Sequence, residues 1–173
     1  MGVHYVAPPL SLCRRAGREV VLAEGLGLIP VLGAYLVQVG DITRTVYLAS
    51  LPIVVATGLW IWMDELSTKM DDERSGRSTL VIIFGPGFSG RCGVPSLVLL
   101  LFASFLAAAL SGSVHPLSLL ILLFAGLAWK IAAMSWTEYS CPGRMMDARK
   151  LASHLHLATC SIIAASSLAT GLH

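Results

Sequence analysis

Apolar residues gather into five long runs separated by polar intervals: Val20–Val39, Val46–Met63, Val94–Leu110, Leu117–Ser135 and Leu151–Leu172. An α-helix needs about 20 residues, at about 1.5 Å each, to cross the hydrocarbon core of a bilayer, and each run approaches that length. Proline and glycine interrupt several of them (Pro30, Gly33, Pro52, Gly58). Membrane helices tolerate such breaks because neighbouring helices re-satisfy the freed backbone groups. The last run is rich in small residues, "ATCSIIAASSLATG", a pattern that lets helices approach closely. The pattern predicts an all-α integral membrane protein of five transmembrane helices, forming one domain over residues 1–173.

Composition agrees with the pattern. The chain is 55% hydrophobic and only 13% charged, with a mean hydropathy of +0.76, against about 25% charged residues in soluble domains. No nucleic-acid partner is expected. Cys13, Cys92, Cys141 and Cys160 form no CxxC pair and read as small apolar residues in or near helices. The segment after Met1 has neither the basic start nor the apolar core of a signal peptide.

Charge adds a direction. Arg14, Arg15 and Arg18 precede the first run; Lys69, Arg74, Arg77 and Arg91 follow the second; Arg144, Arg149 and Lys150 follow the fourth. Only Arg44 lies in a loop on the other side, and Lys130 lies within a run. The positive-inside rule therefore places the N-terminus and both longer loops, including an acidic stretch over 64–92, in the cytoplasm.

That stretch concentrates the chemistry. Asp64, Glu65, Asp71, Asp72 and Glu73 are half of the ten carboxylates in the chain. No breaker lies between Gly58 and Ser75, so the second helix is expected to continue through the acids. With Asp64 at zero, Thr68 falls at about 40°, Asp71 at about −20°, Asp72 at about 80° and Glu65 at about 100°. Four carboxylates thus share an arc of about 120° at the membrane border. Carboxylates this close repel unless solvated, paired or bridged by a cation. One reading is a solvated segment in which Asp71, Asp72 and Glu73 pair with Lys69 and Arg74. The other is a Mg²⁺ site, in which one or two carboxylates bridge the metal to substrate phosphates. Neighbouring basic residues would then receive diphosphate charge, above an apolar bundle that holds a lipid tail.

Three collinear segments resemble the UbiA superfamily of intramembrane prenyltransferases, and most nearly its 1,4-dihydroxy-2-naphthoate prenyltransferases of menaquinone type. "DELSTKMDDERSGRSTLVIIFG" (Asp64 to Gly85) is similar to the family's "NEIPDYEADRAAGKRTLVVRLG". "YVAPPLSLCRRAGRE" (Tyr5 to Glu19) is similar to a Tyr-x-x-Pro-Pro segment leading to an Arg-Gly-x-Gly-Glu turn. "GLGLIPVLGAYLVQVGDIT" (Gly25 to Thr43) is similar to the helix that follows it. In this alignment Asp72 matches the final aspartate of a DxxxD motif, Glu65 the family glutamate, and Asp64 replaces an asparagine. Thr68 stands where the leading aspartate is expected. The resemblance covers the C-terminal five helices of a nine-helix bundle. The family's first Asp-rich motif, NDxxDxxxD, belongs to a preceding portion, so a missing N-terminal half or a complete homologue is an expected partner.

The resemblance implies transfer of an isoprenyl group from a polyprenyl diphosphate to an aromatic acceptor, with Mg²⁺ as cofactor and membrane lipid as surroundings. It implies Asp72 and Asp71 as catalytic residues, and Asp72, Asp64, Glu65 and Asp71 as metal ligands. Arg77, Lys69, Arg74 and Tyr5 would bind the diphosphate. The alternative is a non-catalytic polytopic membrane protein that keeps a degraded diphosphate and Mg²⁺ site. A CDP-alcohol phosphotransferase needs an acidic spacing that this chain lacks, and no run is broken and rich in ionisable groups as a transporter site would be. The tryptophans read as interfacial anchors, Lys130 as a snorkelling lysine, and His154 and His156 as pointing to different helical faces. "FGPGFSGRCG" (Phe84 to Gly93) reads as a connecting loop.

Overall fold

The computed structural model describes residues 17–170. They form five helices long and apolar enough to cross a membrane. We label these α1 (Arg18–Val39), α2 (Arg44–Arg74), α4 (Pro86–Leu110), α5 (Pro116–Glu138) and α6 (Pro142–Thr170). A short helix α3 (Leu80–Phe84) joins α2 to α4. Among the described residues there is no strand.

The helix α2 is the axis of the bundle. It packs along α6 and α4, while α5 rests on α6 and α1 lies chiefly on the outer side of α2. Leu59, Met63 and Leu66 of α2 meet Val94, Leu101 and Phe105 of α4. Ile131 of α5 and Met145, Ala152 and Leu155 of α6 complete the core. Residues such as Leu99, Leu110, Leu123 and Leu168 point outward, a surface suited to lipid rather than to water.

Two close approaches depend on glycine. A Cβ on Gly27 would lie 2.9 Å from the Val54 Cα, so α1 meets the backbone of α2 directly. Gly27 sits in a π-helical turn over Glu24–Leu28, where the helix widens against its neighbour. A Cβ on Gly90 would lie 2.6 Å from the Ser135 carbonyl oxygen. That contact explains why Phe84–Gly93 departs from the expected loop. From Pro86 onward the segment is helical, continuing through a π turn over Ser89–Gly93 into α4. Gly90 thus serves packing against α5 and Gly93 serves packing against Trp62 of α2, while Gly85, with φ of 80°, serves the turn between α3 and α4.

The remaining helices extend beyond their apolar runs. Eleven residues of α2, Asp64–Arg74, continue past Met63 as expected. The first half of α5 is a 3₁₀ helix over Pro116–Phe124, and α6 begins at Pro142, well before its apolar run.

Candidate functional site: a charged cleft between the first two spans

The end of α2 builds the site. Gly76 has φ of 66°, a left-handed conformation that glycine adopts without Cβ strain. Its N–H donates to the Glu73 carbonyl at 3.2 Å, and the Arg77 N–H donates to the Asp72 carbonyl at 3.0 Å. This is a Schellman cap. It folds the chain back so that the Arg77 Nη1 donates to Asp72 Oδ1 at 2.9 Å. Thr68, one turn earlier, donates its hydroxyl to Asp72 Oδ2 at 3.3 Å. Asp72 is only 3% exposed.

The start of α1 supplies the other wall. Arg18 Nε donates to Glu65 Oε1 at 3.0 Å, and Arg18 Nη2 lies 3.8 Å from Asp72 Oδ2. Beside it, the buried Glu19 accepts the Gly17 and Leu80 N–H groups, each at 3.0 Å. Glu19 therefore ties the beginning of α1 to the beginning of α3. Glu65 is fully buried, and its Oε2 has no hydrogen-bond partner among the described residues.

Between these walls lies a cleft of about 390 Å³. Arg18, Asp64, Thr68, Asp71, Asp72 and Arg77 line its polar part. Leu22, Leu26, Trp60 and Ile61 line its apolar part, toward the membrane. Trp60 stacks on His156 of α6, with ring centroids 6.3 Å apart.

The structure separates the expected site residues into groups. Asp64, Asp71, Asp72 and Arg77 share the cleft, and Asp64 also pairs with Arg149 of α6 at 2.9 Å. Glu65, at the edge of the expected arc, turns into the protein as the anchor of Arg18 and does not line the cleft. Lys69 pairs with Glu73 at 3.3 Å and Arg74 with Asp71 at 3.7 Å. Both of those basic residues line a neighbouring groove toward Tyr139 and Pro142. Tyr5 lies outside the described residues. Arg18 and Glu19 are the additions. The signal available in the sequence was their place in the "RRAGRE" turn, where Arg18 occupies the position of a glycine.

Charge and donor type define what the cleft can hold. Three carboxylates and two guanidinium groups line it, and Arg149 and Arg74 pair with Asp64 and Asp71 from outside the cleft. Carboxylate oxygens are hard donors of the kind that Mg²⁺ takes. Among the described residues no three acidic, histidine or cysteine side chains converge on one metal position. The side chains of the cleft form no closed protein cage, and a cation held there by one or two carboxylates would need further oxygens from a ligand or water.

Neither a curated protein nor a solved structure matches the chain. The family model described as the UbiA prenyltransferase family matches residues 5–154, a span that includes both walls of the cleft and ends within the first half of α6. A helical membrane bundle, a charged cleft at the end of an apolar helix and this match agree, and the chain belongs to the UbiA prenyltransferase family.

Proposed function

We propose that the chain takes part in transfer of an isoprenyl group from a polyprenyl diphosphate to an aromatic acceptor of quinone-precursor type. The observation that carries this reading is the gradient within one cleft, from Arg77, Asp72 and Arg18 to Leu22, Leu26, Trp60 and Ile61. A diphosphate joined to a long hydrocarbon has the same gradient.

In the reaction the bond between the diphosphate oxygen and the first prenyl carbon breaks, and the diphosphate leaves with the electron pair. A ring carbon of the acceptor then bonds to the allylic cation, and the ring releases a proton or carbon dioxide. Arg77 and Arg18 face the leaving diphosphate, where charge-assisted hydrogen bonds are strong. Asp72 holds both guanidinium groups in place. Asp72, Asp64 and Asp71 would hold Mg²⁺, which supplies charge neutralisation of the diphosphate when bound. The Trp60 ring offers a π face to an allylic cation, and the apolar wall keeps water from it. In this reading the N-terminus and the acidic end of α2 face the cytoplasm, following the distribution of arginine and lysine.

The direct test is transfer of a labelled prenyl group from geranylgeranyl diphosphate to 1,4-dihydroxy-2-naphthoate in proteoliposomes containing Mg²⁺. Asp72→Ala should reduce transfer by at least about a hundredfold, the scale of losing a focused electrostatic contact. Unchanged transfer in that variant would sink the site assignment. The second reading rests on Thr68, which places a hydroxyl where the family motif has a carboxylate. It predicts that the chain binds the prenyl diphosphate without transferring it, so binding without turnover in the parent protein would select it.

A further inference from the structure

We propose that the groove between α5 and α6 is a binding site for the headgroup of an anionic phospholipid. Lys130, Arg144 and Lys150 line it with a single carboxylate, Asp147, and with Met134, Leu151 and His154. Its volume is about 510 Å³, and it lies apart from the cleft between α1 and α2.

Internal contacts fix the height of the groove. Met63 ends the apolar run of α2, and its sulfur accepts the Ser135 hydroxyl of α5 at 3.5 Å. Asp64 begins the polar part of α2 and pairs with Arg149 of α6. Ser135 and Arg149 therefore stand at the polar border. Lys150 follows Arg149 directly, whereas Lys130 is five residues deeper on α5, about 7.5 Å below Ser135. The Lys130 stem is long enough to run along the groove and lift its ammonium group to that border.

That ammonium group needs an anion which the protein does not supply. Asp147 pairs with Lys150 at 3.3 Å, and Glu138 is taken up by Arg144. No carboxylate pairs with Lys130 among the described residues. Three cations thus line the groove against two committed acids, which leaves one positive charge in excess at the depth where headgroup phosphates lie. Basic grooves between transmembrane helices at this level suit anionic headgroups. Leu151 and Met134 give the first acyl carbons an apolar bed. The exposed Trp129 and Trp136 flank the same part of α5, as aromatic residues do at a membrane interface.

The test uses the purified chain in neutral detergent, with thermal unfolding followed as dioleoylphosphatidylglycerol, dioleoylphosphatidylcholine or inorganic phosphate is added. Phosphatidylglycerol should raise the unfolding temperature in a saturable manner, and the other two should not. Lys130→Met should weaken the apparent affinity for phosphatidylglycerol roughly fivefold, the scale of one lysine at an anionic surface. Lys130→Arg should restore it. Each variant is compared with its own lipid-free state, so a change in basal stability does not obscure the shift. An equal response to phosphatidylcholine, or an undiminished response in Lys130→Met, would overturn the proposal. A response to inorganic phosphate alone would show an anion site without lipid selectivity and overturn it as stated.

Discussion

Removing Arg18 should damage the protein far more than its position near the start of a helix suggests. In Arg18→Met, Asp72 keeps Arg77 and Thr68, and Glu19 keeps two backbone N–H groups. Glu65 keeps nothing comparable. It is 0% exposed, its Oε1 loses the 3.0 Å bond to Arg18, and its Oε2 already lacks a hydrogen-bond partner. Stripping the hydrogen-bond partner from a buried carboxyl costs about 1–3 kcal/mol, because the group is left buried and unsatisfied whether it stays ionised or takes up a proton. The double variant Arg18→Met/Glu65→Met removes that carboxyl and should recover most of the loss. A coupling of at least about 1 kcal/mol between the two sites should therefore appear in the cycle. Denaturant unfolding in dodecylmaltoside, followed by tryptophan fluorescence, measures all four proteins. A loss below about 1 kcal/mol in Arg18→Met, the scale of an exposed pair, would refute the reasoning. So would a double variant as unstable as the sum of the two single ones.

Gly27→Leu should separate α1 from α2, since even the first added carbon would meet the Val54 Cα at 2.9 Å. Overpacking of this kind costs about 1–3 kcal/mol, and a lower unfolding temperature together with weaker binding of a prenyl diphosphate analogue would show it. Unchanged values for both would mean that α1 does not depend on this contact. Membrane orientation can be read from Cys141, which is exposed at the turn between α5 and α6. In a variant retaining that cysteine alone, a membrane-impermeant maleimide should label intact cells weakly and permeabilised cells strongly. Strong labelling of intact cells would reverse the proposed orientation.

The sequence makes the central helix legible because its two signals agree. An apolar run reaches Met63, and no breaker interrupts the helical period before Ser75. The structure keeps both, and three of the four carboxylates on the expected arc share one cleft. Glu65 departs because its partner is Arg18, 47 residues away. Helical periodicity orders neighbours along one element, but it does not reveal which side of the arc will face another element. Phe84–Gly93 fails for a different reason. Composition does not distinguish a glycine needed for a turn from one needed for close contact, and Gly90 meets the backbone at Ser135. Tyr5 falls outside the described residues, so its expected role rests on the resemblance.

The unbroken course of α2 also makes bilayer thickness a variable of the site. A 31-residue helix is about 46 Å long, more than the roughly 30 Å of hydrocarbon in a typical bilayer. The 18 residues from Val46 to Met63 span about 27 Å, and the acidic end projects as one rigid extension of them. A thicker membrane can be met by reduced tilt or local thinning, and a thinner one by greater tilt. Because no hinge lies between the apolar segment and Asp72, each adjustment moves the mouth of the cleft relative to the lipid surface. The membrane thus acts on this site as a gauge of height as well as a solvent.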